Sequence, residues 1–189
     1  MKIDVYTDGS CNKNYIGGWA YYLECSLDGE IVARRAFRNA AAEMTNQRAE
    51  LLAVLSAISN FTQPATFVIH SDSAYVVNCF HEGWYVKWLM NGWTNSKGEA
   101  VANQGIWARI LHEIEKHTVT FHKVKGHSGH KYNEYADELA RQAVKDYIGQ
   151  KQASELNLDK PFVENKPLPS SFDGQLLGVA YDPTPYMRT

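Results

Sequence analysis

Before Thr45 the chain alternates apolar and polar side chains, and from Thr45 onward its apolar residues recur at helical spacing. This change of period constrains the fold more than any other feature, because a strand buries every second residue and a helix every third or fourth. In KIDVYTDGS, Ile3 and Val5 alternate with Asp4 and Tyr6, and Gly9 with Ser10 predicts a turn where the strand ends. GGWAYYLECSL and EIVARRAF are further strand-like runs, and Asp28-Gly29 between them is a strong hairpin signal. In NQRAELLAVLSAIS, Ala49, Leu52, Ala53 and Leu55 fall near helical spacing, with Thr45 or Asn46 as the cap. After Pro64, TFVIHSD predicts a short buried strand. Helical character covers 73–90, broken near Gly83, and returns over 104–117, with the loop NGWTNSKGEA between them. TVTFHKV predicts a strand and KGHSGHK a loop. Residues 132–147 predict a final helix with Ala136, Leu139, Ala140, Ala143 and Val144 as its apolar stripe. Hairpin-linked strands followed by alternating strands and helices predict an α/β fold, a mixed sheet with helices packed on it.

A chain of 189 residues suits one domain with an appendage. The texture changes near Gly149, since Pro161, Pro167, Pro169, Pro183 and Pro185 all lie beyond it. We therefore expect a domain over 1–149 and a tail over 150–189. The tail is read as extended or packed on the domain, because Phe162, Phe172, Leu176, Leu177 and Tyr181 are buriable. Cys11, Cys25 and Cys79 are odd in number and lack CxxC spacing, which fits reduced thiols better than a disulfide framework or a zinc site. No charged-then-apolar leader opens the sequence, and no apolar run approaches the roughly 18 residues of a membrane span. A cytoplasmic protein, monomeric and without a membrane partner, is the expectation. The net charge of -2 argues mildly against a nucleic-acid binder. It does not exclude one, because a phosphate backbone responds to local charge and bound metal.

The acids carry the functional signal. Asp8 ends the first strand and Asp72 the fourth, while Glu50 lies early in the first helix and Asp137 inside the last. If the first and fourth strands are neighbours, these carboxylates gather beyond the strand ends, where sheets with crossover helices place their ligands. Converging carboxylates repel one another unless cations sit between them. Oxygen-only ligands suit a hard ion such as Mg²⁺ or Mn²⁺. Two such ions about 4 Å apart can activate a water and stabilise the leaving oxygen of a phosphodiester. Each acid alone reads more readily as a solvated surface charge. As a set they do not, because two end apolar strands and two lie within helices rich in buriable residues.

The same residues carry a family resemblance. TDGS, TNQRAEL, HSDSAYV and VKGHSGHKYNEYADELA, in that order over about residues 1–146, resemble ribonuclease H type 1. The resemblance implies a five-stranded mixed sheet of order 3-2-1-4-5 flanked by helices. It implies an endonuclease that hydrolyses the RNA strand of RNA–DNA hybrids, leaving 5′-phosphate and 3′-hydroxyl ends. Asp8, Glu50, Asp72 and Asp137 would hold two Mg²⁺ ions, with Mn²⁺ able to substitute. His127 would assist proton transfer or product release, and the match selects it over His130. Either loop histidine alone also reads as an exposed polar residue.

A hybrid binder must read the 2′-hydroxyl. Asn14, Asn46 and Gln47 lie in family-matching segments and are the candidates. Thr45 is the candidate for a phosphate at the helix start, although capping alone accounts for Thr45 and Asn46 as well. GWYVKWLMNGW resembles the protrusion that grips the DNA strand, with Trp84 and Trp88 as candidate contacts. Their i, i+4 spacing also fits a core stripe. Two departures stand out. Residues 82–104 balance Lys87 and Lys97 against Glu82 and Glu99, where well-known bacterial members are strongly basic. Ala74 stands where many relatives carry a polar amide. Competing readings are a nuclease of the same fold from a retroelement, transposase or integrase, a hybrid- or duplex-binding module without catalysis, and a structural or interaction domain whose tail carries the function.

Overall fold

The computed structural model describes residues 1–126 and 130–156, with side chains as far as Lys151. Strands β1 (Lys2–Cys11), β2 (Gly17–Leu27) and β3 (Glu30–Ala41) precede helix α1 (Asn46–Ile58). Then come β4 (Thr66–Ser71), α2 (Ala74–His81), α3 (Trp84–Met90), α4 (Gln104–Ile114), β5 (Thr118–Lys123) and α5 (Lys131–Leu156). The sheet order is β3-β2-β1-β4-β5, as expected from the sequence. β1, β2 and β3 pair antiparallel, whereas β4 pairs parallel with both β1 and β5.

The hairpin between β2 and β3 turns at Asp28 and Gly29, both with positive φ (51° and 87°). Such turns match the twist of the flanking strands, and their residues are the Asp-Gly pair visible in the sequence. Side chains of β1 alternate between two faces. Ile3 and Val5 enter the main core with α1, and Tyr6 packs with Ala136 of α5 on the other face. Leu51, Leu52, Val54, Leu55 and Ile58 are all fully buried. α1 is apolar on all sides because it lies between the sheet and α4. Each such side chain contributes about 1.5–3 kcal/mol of burial.

Three boundaries differ from the sequence expectation. β1 does not stop at Gly9 and Ser10 but pairs with β2 as far as Cys11, and the turn falls over residues 12–16. Asn12 organises that turn, its Oδ1 accepting from the N–H groups of Asn14 and Ile16. β3 runs on past Phe37 to Ala41, pairing with β2 throughout. α5 continues beyond residue 147, through Gly149, to Leu156. One glycine costs a helix only about 1 kcal/mol, so the compositional change at 149 is no structural stop. Residues 157–189 lie outside the described residues.

Candidate active site

Asp8 and Asp72 are brought together by strand pairing. Thr7 of β1 is the register partner of Ser71 of β4, and the acids are the next residues along each strand's path. Glu50 arrives from α1, four residues into the helix and on the same face as Asn46. Gly9 allows it to come so close. A Cβ at that position would collide with the backbone of Ala49 and Glu50. The Gly9 N–H also donates to the Glu50 carboxylate. A comparable approach occurs at Gly126, where a Cβ would stand 2.5 Å from Asp72 Oδ2, so the loop after β5 passes directly against that carboxyl.

The result is a tight cluster. One carboxylate oxygen from each of Asp8, Glu50 and Asp72 lies within 4.8 Å of the others. Asp8 is only 7% exposed. Burial, then the charges of Asp72 and Asp137, push its carboxyl up to about 8, with Arg141 opposing them. Burial, followed by Asp8 and Asp72, also drives Glu50 well above the usual carboxylate range. Glu50 Oε2 is buried with no hydrogen-bond partner. An orphaned buried oxygen beside two further acids is a donor set that a hard cation fits, because the ion supplies the partner and cancels the repulsion.

Asp137 is near this group but outside it. It sits on α5, close enough for its charge to act on Asp8 and Glu50, and its Oδ2 accepts from Arg141 Nη2 at 2.6 Å. Arg141 was not singled out in the sequence, although its i, i+4 spacing from Asp137 is a recognisable ion-pair signal. His127 lies outside the described residues. His130 is placed, its ring tilted against that of Tyr6 with centroids 5.1 Å apart.

Of the expected substrate contacts, Thr45 is the α1 cap, its Oγ1 accepting from the Arg48 N–H at 3.2 Å. Asn46 and Gln47 are exposed in the first turn of α1. Asn14 is exposed in the 12–16 turn, which the Met44 N–H ties to the approach of α1 through Tyr15 O. The turn is thereby held against the approach to α1, the helix that carries Glu50. Trp84 is half-buried, and its Nε1 donates to Glu82. Trp88 requires a correction: it is 8% exposed, and its ring packs against Trp93 and Trp107. That packing leaves almost none of the indole face for a nucleic acid, so Trp88 belongs to the core stripe.

Comparison with known proteins agrees with this geometry. Residues 1–145 match the family model for RNase H. The chain is similar to Ribonuclease H of Chlorobium luteolum, 44% identical over 144 residues, covering 76% of this chain and 95% of that one. Ribonuclease H of Prosthecochloris aestuarii is 43% identical over 145 residues, with 76% and 96% covered. Among solved structures it is similar to LC9-RNase H1, a type 1 RNase H with the type 2 active-site motif. The TM-score is 0.68 at 29% identity, over 77% of this chain and 72% of that one. The sheet order, the gathered acids and these matches lead to one conclusion: the chain belongs to the RNase H family of ribonucleases.

Proposed function

We propose that the chain cuts the RNA strand of RNA–DNA hybrids with the help of two divalent cations, Mg²⁺ or in its place Mn²⁺, leaving 5′-phosphate and 3′-hydroxyl ends. The observation that carries this reading is the cluster of Asp8, Glu50 and Asp72 with its unpartnered Glu50 oxygen. When bound, the ions would supply Lewis-acid polarisation of the phosphate and of the attacking water. Asp8, Glu50 and Asp72 would hold them, with Asp137 joining by exchanging its contact with Arg141. His127 would move a proton at its imidazole during leaving-group departure or product release. Asn14, Asn46 and Gln47 would read 2′-hydroxyls beside the acids, Thr45 a phosphate, and the half-buried Trp84 the DNA strand. We read the protein as a cytoplasmic monomer, and no described helix is long and apolar enough to cross a membrane.

The test is cleavage of a hybrid whose RNA and DNA strands carry different labels, in Mg²⁺, Mn²⁺ or EDTA, beside duplex DNA and single-stranded RNA. RNA-strand cutting that requires metal, spares the controls and leaves 5′-phosphates is expected. Metal-independent cutting, or cutting of the DNA strand, contradicts the proposal. Tight hybrid binding without cutting would point to a binding module.

A further inference from the structure

We propose that His70 and His122 form a binding site for a transition-metal ion of the Zn²⁺ or Ni²⁺ class, distinct in donor chemistry from the carboxylate cluster. The two residues are direct register partners on the parallel strands β4 and β5. Adjacent strands lie about 4.8 Å apart, so side chains at paired positions project side by side. Their ring centroids are 5.6 Å apart. Two imidazoles sharing a tetrahedral ion, each nitrogen about 2.0–2.1 Å from it, bring their ring centres to about 5 Å. Rotation of the exposed His122 side chain is the movement the site requires to close the difference.

His70 is held in place by two contacts. Its Nε2 lies 3.4 Å from Asp4 Oδ1, and its ring stacks on Tyr6 with centroids 4.5 Å apart and planes 11° apart. A carboxylate that accepts a hydrogen bond from Nε2–H favours that tautomer and leaves the Nδ1 lone pair for a metal, the arrangement by which histidine ligands are commonly held. The pair is also chemically selective. Imidazole nitrogens favour Zn²⁺, Ni²⁺ and Cu²⁺, whereas the all-oxygen cluster favours Mg²⁺ and Mn²⁺. Waters would complete the coordination. An ion held here would clamp the end of β4, two residues before Asp72, against β5.

Calorimetric titration of Zn²⁺ into the whole protein, with Mg²⁺ in large excess, tests the site, and the melting temperature gives a second readout. Wild type is expected to bind one ion and to melt higher with Zn²⁺ present, as a ligand of the folded state requires. His122→Ala, at an exposed position, should fold normally and lose both effects. Asp4→Asn, which removes the orienting carboxylate, should weaken binding about tenfold. Asp8→Asn should keep the site intact. Absence of Zn²⁺ binding in wild type, undiminished binding in His122→Ala, or binding lost in Asp8→Asn would each overturn the proposal.

Discussion

At Asp8, burial and like charge act in the same direction, and the consequence can be measured without substrate. The carboxyl sits at about 8 in the folded chain against an ordinary value of 3.8. An acid whose folded-state value is raised binds its proton more tightly in the folded state. Its contribution to stability is therefore full below about pH 4 and is lost as pH rises through about 8. In EDTA the protein should melt progressively lower between pH 5 and pH 8, and Asp8→Asn should remove part of that loss. One unit of displacement corresponds to about 1.4 kcal/mol, so a gain of at least about 1 kcal/mol at pH 8, roughly 2–4 °C in melting temperature, is expected. The same variant should lose cleavage. A melting temperature at or below wild type at pH 8 in EDTA would refute the repulsion described here. Single residues also show what the sequence disclosed. Glu50 and Asp72 were legible because one opens an apolar helix and the other follows an apolar strand; Asp8 was legible because Gly9 and Ser10 after it look like a strand end, although β1 runs on to Cys11. Trp88 was not, because an i, i+4 pair of tryptophans looks the same whether it faces a ligand or the core. The deciding partner, Trp107, lies on another helix.

Elements position these residues through backbone contact, and two glycines separate that effect from simple backbone freedom. Gly9 has negative-φ strand geometry but no room, because α1 rests its Ala49–Glu50 backbone on it. Gly29 has room on every side but a φ of 87° that only glycine adopts readily. Gly9→Ala should push α1 off β1, costing about 1–3 kcal/mol and displacing Glu50, so that stability and cleavage fall together. Gly29→Ala should cost about 1 kcal/mol through strain in the hairpin and leave turnover per folded molecule unchanged. Melting curves with single-turnover rates check both, and normal cleavage by folded Gly9→Ala would mean that Glu50 does not need its present contact. The element order was readable from period and turn chemistry. The end of β1 was not, because Gly9, which with Ser10 looks like a turn, is instead the residue on which α1 rests, and the strand pairs on to Cys11. Nor was the end of α5, where proline-rich composition after residue 149 gave no local reason for the helix to stop.

For the whole molecule, the distribution of charge decides how a polyanion would be held. The net charge is -2, and residues 82–104, which hold α3 and the following loop, balance Lys87 and Lys97 against Glu82 and Glu99. Their outer surface is instead apolar, with Val86, Leu89 and Met90 exposed by 44%, 56% and 84%. A duplex docked across such a surface would release few counterions there. Most of its grip would then come from the cations proposed at the carboxylate cluster and from the polar residues at the start of α1. The salt dependence of binding reports this directly, since each neutralised phosphate adds about 0.9 to the slope of log K against log salt. With Asp8→Asn used to block cutting, hybrid binding between 50 and 200 mM salt should show a shallow slope by fluorescence anisotropy (about 50 to 200 mM spans the range over which such slopes are clear). Adding Val86→Lys and Leu89→Lys should steepen it by up to about 1.8 and tighten binding most at low salt. Both positions are exposed, so the fold should tolerate them. An unchanged slope in the doubly lysine-substituted protein would mean that α3 faces away from the duplex, and that the protrusion's apolar surface serves something other than the nucleic acid.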